Sequence, residues 1–275
     1  MSDGPASRAA LGGPGPTRTR KPRTQRAIVP TLKYEWRHWH EGRGLIVGVD
    51  EVGVAPTCGA VVAAAVVMRA NCRKIPGVRD SKTLSAQQRE RLAPLIRRKA
   101  VAVGVGAASV AEIDRLNIYH ATHLAMRRAV ARIGPHDHVL LDGRRIIGFE
   151  QHAGPYTAII DGDALCYTIA CASIVAKVVR DRMMAKLAAR YPQYGWEHNC
   201  GYATRDHRDA LRTYGATPFH RRSFLPVQIA LAGEQTSLDL DLPPETVEGM
   251  ARLEADELEI VAADSQLVQA GVSAG

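Results

Sequence analysis

Apolar positions fall into short, dense runs early in the chain and into longer helical periods later. Leu45-Ile-Val-Gly-Val49 is a short apolar run beside glycines, the pattern of a buried strand. Val61 to Met68, dense in Val and Ala, predicts a second strand. Ser85 to Lys99 reads as a helix: Ser85 can cap it, Gln88 holds the capping-box position, and Leu92, Leu95 and Ile96 share one face. Val101 to Val105 predicts a third strand, followed by a short acidic helix over Val110 to Leu116. Asn117 to Ile133 gives a longer helix with Ile118, Ala121, Leu124 and Ala125 inward and Arg127 and Arg128 outward. Val139 to Leu141 is a buried strand ending at Asp142, and about Tyr156 to Ile160 another. Thr168 to Ala189 is helical and apolar nearly all round in its first half, which predicts a central buried helix. Arg205 to Tyr214 closes the series. Strands first and helices later predict an α/β fold with a mixed sheet flanked by helices. No internal repeat is visible.

The ends of the chain differ from this body. Met1 to about Thr31 is rich in Pro, Gly, Ser and Ala, with basic residues at Arg18, Arg20, Lys21, Arg23 and Arg26. It reads as a disordered arm that either touches phosphates or only solubilises. Order is expected to begin near Leu45, dividing the chain into an arm over 1–44, a folded domain over 45–230 and an acidic, flexible tail over 231–275. The chain is 46% hydrophobic and 23% charged, as in ordinary globular proteins. No apolar run approaches the roughly 20 residues of a membrane helix. The basic start has no apolar segment of the secretory type. Five cysteines, Cys58, Cys72, Cys166, Cys171 and Cys200, include no C-x-x-C pair, so reduced thiols in a cytoplasmic protein are expected. The formal net charge is +8, but ten acids and a single arginine follow from Glu234 onward. The remainder carries 35 Lys and Arg against 18 Asp and Glu, a net +17. That excess suits a polyanionic partner.

Four acids are predicted where strand ends or helix starts would gather them. Asp50 and Glu51 end the first strand, Asp142 ends another, and Asp163 lies between a strand and the buried helix. Clustered carboxylates raise one another's pKa unless something positive sits among them. Divalent cations with oxygen ligands meet that need, and two such ions about 4 Å apart can stabilise both oxygens of a phosphoryl displacement. Asp163 has a plainer reading as a helix N-cap.

Gly48-Val-Asp-Glu-Val-Gly53, with Pro56 and Gly59 after it, resembles the opening motif of the ribonuclease HII family. Asp80-Ser-Lys-Thr-Leu-Ser85, Leu141-Asp-Gly143, and Gly162-Asp-Ala164 with Ala172-Ser-Ile-Val-Ala-Lys-Val-Val-Arg-Asp181 are similar to its next signatures. Gly201-Tyr202, His207 and His220-Arg-Arg-Ser-Phe224 complete the series, in order, from about Leu45 to Val227. The resemblance implies a ribonuclease H-like fold with a small helical C-terminal part. It implies an endonuclease that hydrolyses the RNA strand of RNA–DNA hybrids, including ribonucleotides embedded in duplex DNA, and leaves 5′-phosphate and 3′-hydroxyl ends. It makes Asp50, Glu51, Asp142 and Asp163 the acids that hold two Mg²⁺ or Mn²⁺ ions. It gives Tyr202 to the sugar at the RNA–DNA junction, and sets Gly53, Val54, Ala55, Lys82 and Lys177 along the substrate groove. The two lysines could instead pair with Asp80 or Asp181.

Departures from the family pattern accompany the match. Gly53-Val54-Ala55 stands where Gly-Arg-Gly is usual, Leu165-Cys166 where Lys-Ser is common, and Cys200 where lysine is frequent. They leave the acids intact but bear on how the junction is discriminated. A hybrid-binding protein of the same fold with impaired turnover is therefore the main alternative. A proofreading-type exonuclease fits less well, given the adjacency of Asp50 and Glu51. Beyond the domain, Gln235-Thr-Ser-Leu-Asp-Leu240 resembles the short peptide by which bacterial replication and repair proteins dock on the sliding clamp. A monomer is the default expectation.

Overall fold

The computed structural model describes residues 28–232. The chain enters through helix α1 (Lys33–His40), then strands β1 (Ile46–Val52) and β2 (Val61–Met68), helix α2 (Ala86–Lys99) and strand β3 (Ala100–Ala108). Helices α3 (Val110–Leu116) and α4 (Ile118–Ala131) lead to β4 (His138–Asp142), the single turn α5 (Glu150–Ala153) and β5 (Tyr156–Ile159). A further turn, α6 (Gly162–Leu165), precedes the long α7 (Tyr167–Arg190). The short α8 (Trp196–Asn199), α9 (Arg205–Tyr214) and α10 (Leu225–Ala232) complete the described residues.

The five strands form one mixed sheet in the order β3-β2-β1-β4-β5. β1, β2 and β3 pair antiparallel, whereas β4 runs parallel to both β1 and β5. Period-two alternation divides β2 between two cores. Val62, Ala64, Val66 and Met68 pack with α7 and α2, while Val61, Ala63, Ala65 and Val67 pack with α4. Because helices cover both faces, β2 is buried throughout, which is why its residues read as a continuous apolar run rather than an alternating one. The start of α7 lies directly on Gly48, where an added Cβ would stand 2.3 Å from the Thr168 carbonyl carbon. A third cluster joins the end of α7 to α9 and α10 through Trp196, Leu211, Phe219 and Val227.

Order begins upstream of Leu45, in contrast to the boundary expected from the hydrophobic pattern. α1 buries Glu35 and His38, and Thr31 makes a parallel bridge with Cys166. Tyr34 and Trp39 of α1 pack on Ile46, Leu140 and Ile169, but its buried residues are a carboxylate and an imidazole, which no apolar pattern marks. At the other end α10 runs to Ala232, one residue past the expected start of the tail. Residues 1–27 of the basic arm, and the acidic tail with Gln235–Leu240, lie outside the described residues.

Candidate active site

The parallel register pairs Val49 with Leu141, so the next residues outward, Asp50 and Asp142, lie side by side on neighbouring strands. Gly48 abuts α7 and Leu140 packs on Ile169, and alternation brings Asp50 and Asp142 onto that same face. β1 extends through Val52, which puts Asp50 and Glu51 inside the strand rather than at its end. Asp50, Glu51 and Asp142 each offer a carboxylate oxygen within 4.8 Å of the others, the one such group among the described residues. Asp163 sits on α6, with Gly162 N–H donating to Asp142 Oδ1 at 2.7 Å, so the turn that carries one acid is tied to another. Asp163 is not an N-cap: Asp161 holds that position on α6 and Cys166 on α7, while Asp163 Oδ2 accepts from Lys82 Nζ at 3.4 Å.

Burial is the largest influence on three of these groups, and neighbouring charge comes next. Asp50 is lifted well above the ordinary carboxylate range by burial, then by Glu51 and Asp142, with a hydrogen bond from Ser173 pulling against them. Glu51 is pushed up to about 7 by burial and then by Asp142. Asp142 is raised by burial and then by Asp163. Lys82 is the nearby cation: burial works against its charge, but Asp163, Asp50 and Asp80 outweigh that and raise it. Such a set of hard oxygen donors, carrying more negative charge than one ammonium offsets, fits divalent cations of the Mg²⁺ or Mn²⁺ kind.

The other expected residues fall around this centre. Asp80 accepts from the Lys82 backbone N–H and caps a short 3₁₀ turn over Ser81–Thr83, which directs the Lys82 side chain to Asp163 rather than to Asp80. Lys177 is drawn away: its Nζ lies 2.6 Å from Asp181 Oδ1, and Arg89 holds the other oxygen of Asp181 at 3.1 Å. This is the pairing with Asp181 that its sequence left open. Gly53 has φ +94°, and a Cβ there would meet Arg180 Nε at 2.2 Å, so only glycine fits. Val54 and Ala55 are exposed beyond it, and Tyr202 is half exposed after Gly201. Several residues were not singled out from sequence. Ser81 Oγ accepts from Ser173 Oγ at 2.8 Å, which links the Lys82 turn to α7. Arg180 and Arg221 are fully buried against backbone carbonyls. All four lie inside the quoted motifs, where their position was the only signal.

The family model described as Ribonuclease HII matches residues 47–227. A Ribonuclease HII of Thermosynechococcus vestitus is 56% identical over 197 residues, spanning 71% of this chain and 90% of that protein. Among solved structures, the ribonuclease H2 of Pyrococcus horikoshii shares the fold with a TM-score of 0.60 at 24% identity, over 70% of this chain and all of that one. The RNase HII of Archaeoglobus fulgidus, solved in complex with PCNA, is 26% identical with a TM-score of 0.54, over 64% of this chain and 91% of that one. Five ordered motifs, a mixed sheet that gathers their acids, and these matches agree: the chain belongs to the ribonuclease HII family.

Proposed function

We propose that Asp50, Glu51, Asp142 and Asp163 are the groups with which this ribonuclease H holds two divalent ions and cuts the RNA strand of RNA–DNA hybrids. The observation that carries the assignment is the convergence of one buried and two half-buried carboxylates on neighbouring parallel strands, with Asp163 tied in through Gly162 and Lys82. Bound Mg²⁺ or Mn²⁺ would supply charge stabilisation to the attacking and leaving oxygens of the phosphodiester. The chain's own part is to orient. The Glu51 N–H donates to Asp50 Oδ1, the Gly162 amide fixes Asp142, and Lys82 keeps one cation beside the site where negative charge develops.

Gly53, Val54, Ala55 and Tyr202 form the surface that meets the ribonucleotide. The tyrosine ring stacks on the sugar and the loop backbone approaches the 2′-hydroxyl, the group that separates RNA from DNA. This extends the activity to single ribonucleotides in duplex DNA. Lys177 contributes through Asp181 and Arg89 rather than by direct contact. A peptide over Gln235–Leu240 docks the enzyme on the sliding clamp, a reading supported by the clamp complex of the Archaeoglobus relative. No described helix is long and apolar enough to cross a membrane, and a cytoplasmic setting with the nucleic acid accords with this.

The test is substitution of Asp50 or Asp142 by Asn, assayed on a labelled hybrid with and without Mg²⁺ or Mn²⁺. Turnover should fall by about three orders of magnitude or more while hybrid binding changes little, as for loss of groups acting in the transition state. Retained turnover in Asp50→Asn would remove the mechanism.

A further inference from the structure

The loop after β1 and the segment carrying Tyr202 come from distant parts of the chain, and a third segment holds both. Arg221, fully buried, spreads its guanidinium over the loop: Nη2 donates to Gly53 O at 2.6 Å and Gly59 O at 2.7 Å, Nη1 to Val54 O at 2.9 Å and Pro56 O at 2.6 Å, and Nε to Gly59 O at 3.0 Å. All five donors of the planar fork are used on carbonyls of one loop. Its neighbour His220 faces the other way. Thr217 N–H donates to His220 Nδ1 at 2.9 Å, which leaves Nε2–H to donate to His207 Nε2 at 3.1 Å. His207 Nδ1–H in turn donates to the Tyr202 carbonyl at 2.9 Å, and Trp196 Nε1–H donates to His207 Nε2 at 3.0 Å. These tautomers follow from the partners, since a backbone N–H can only donate and a carbonyl only accept. The two halves also meet directly. Thr57 donates to Gly201 O through its backbone N–H at 2.9 Å and its hydroxyl at 3.1 Å, while Arg221 N–H donates to Thr57 O at 2.9 Å.

We propose that the pair His220–Arg221, locked to Thr57, is a positioning element that sets the spacing between the Gly53–Ala55 loop and Tyr202, and thereby how strongly a junction ribonucleotide is preferred. It rests on the reading of that loop and of Tyr202 given above. None of the three is placed against substrate: Arg221 holds the carbonyls of Gly53 and Val54, His220 acts on the Tyr202 carbonyl through His207, and Thr57 holds Gly201, the residue before Tyr202. Arg221 holds the loop's carbonyls, not its side chains, so its grip does not depend on which side chains stand at Val54 and Ala55.

The experiment compares kcat/KM on a duplex with one embedded ribonucleotide and on a continuous RNA–DNA hybrid, in Mg²⁺, for the full chain and for Thr57→Val, Thr57→Ser, Arg221→Lys and Tyr202→Ala. Thr57→Val keeps the shape and removes the hydroxyl; it should lower single-ribonucleotide cleavage about tenfold while hybrid cleavage falls less than about threefold. Thr57→Ser, which keeps the hydroxyl, should stay near the unsubstituted protein. Arg221→Lys, a point charge in place of a fork, should exceed Thr57→Val in the same direction. If Arg221→Lys does not fold, by circular dichroism, the Thr57 pair decides alone. Equal losses on both substrates, or Thr57→Ser behaving as Thr57→Val, would overturn the proposal. Selective loss in Tyr202→Ala with none in Thr57→Val or Arg221→Lys would overturn it while leaving the junction reading intact. No selective loss in Tyr202→Ala would bring down the junction reading and this inference with it.

Discussion

Glu51, with its carboxyl pushed up to about 7, takes up a proton more readily in the folded chain than in the unfolded one. The stability this contributes is fully present below the ordinary Glu value of 4.5 and is lost as pH rises through about 7. Asp50 and Asp142, raised by the same burial and mutual repulsion, act in the same sense. The metal-free protein should therefore melt at a lower temperature at pH 8 than at pH 6, and millimolar Mg²⁺ or Mn²⁺ should narrow the difference. Asp50→Asn removes one of the repelling charges. In the absence of metal at pH 8 it should raise the melting temperature by about 2–4 °C, as expected for roughly 1 kcal/mol in a domain of this size. A lower melting temperature for Asp50→Asn would mean that the charge supports the fold rather than straining it. Calorimetry on both proteins at the two pH values reads this directly.

At the level of loops and helices, the β1–β2 connection carries Val54 and Ala55, one of the departures read in the sequence. Val54→Arg with Ala55→Gly restores the guanidinium and the close-approaching glycine. The double variant should raise cleavage at a single embedded ribonucleotide more than cleavage of a long hybrid, by about tenfold in the ratio. Equal gains on both substrates would show that the loop does not read the junction. The neighbouring elements also show what a chain discloses of itself. Ser85 and Gln88 form the expected capping box of α2, and α3 occupies Val110–Leu116 as its pattern indicates. Those signals are local: a cap is a contact between residues three apart. The apolar run of β1 stops at Val49, because Asp50 and Glu51 interrupt it although they continue the strand. α5, α6 and α8 are single turns, too short for any period to register. The four acids were legible as a set through their motifs, and the i, i+4 spacing on α7 offers Lys177 to Asp181, whereas the hold of Arg89 on the same carboxylate depends on α2 packing against α7, which no spacing reveals. The same holds for Arg221, whose partners lie more than 160 residues away.

Across the whole molecule, charge is divided: the body and arm carry a net +17 and the segment from Glu234 a net −9. A segment of that sign is repelled by DNA, which suits the proposed docking of Gln235–Leu240 on a protein partner. A peptide spanning 233–275 should bind the bacterial sliding clamp in a titration, and Gln235→Ala or Leu238→Ala should weaken binding at least about tenfold. Binding indifferent to both substitutions would leave the segment without that role. The opposite end of the domain is tied down by hydrogen bonds. Glu35 Oε1 accepts from Thr168 N–H at 2.8 Å, Thr168 Oγ1 at 3.0 Å and Cys166 Sγ at 3.3 Å, so α1 supplies the cap that α7 lacks from its own residues. Thr31 brackets the same place, donating its N–H to Leu165 O and accepting from Tyr167 N–H. The hinge between the Asp163 turn and the central helix is thus completed by residues that precede the first strand. A polypeptide started at Leu45 would contain Asp50, Glu51, Asp142 and Asp163 and still leave that hinge open. It should cleave hybrids poorly, and a separate peptide over 28–44 should restore activity by fragment complementation, with Glu35→Ala in the peptide abolishing the rescue.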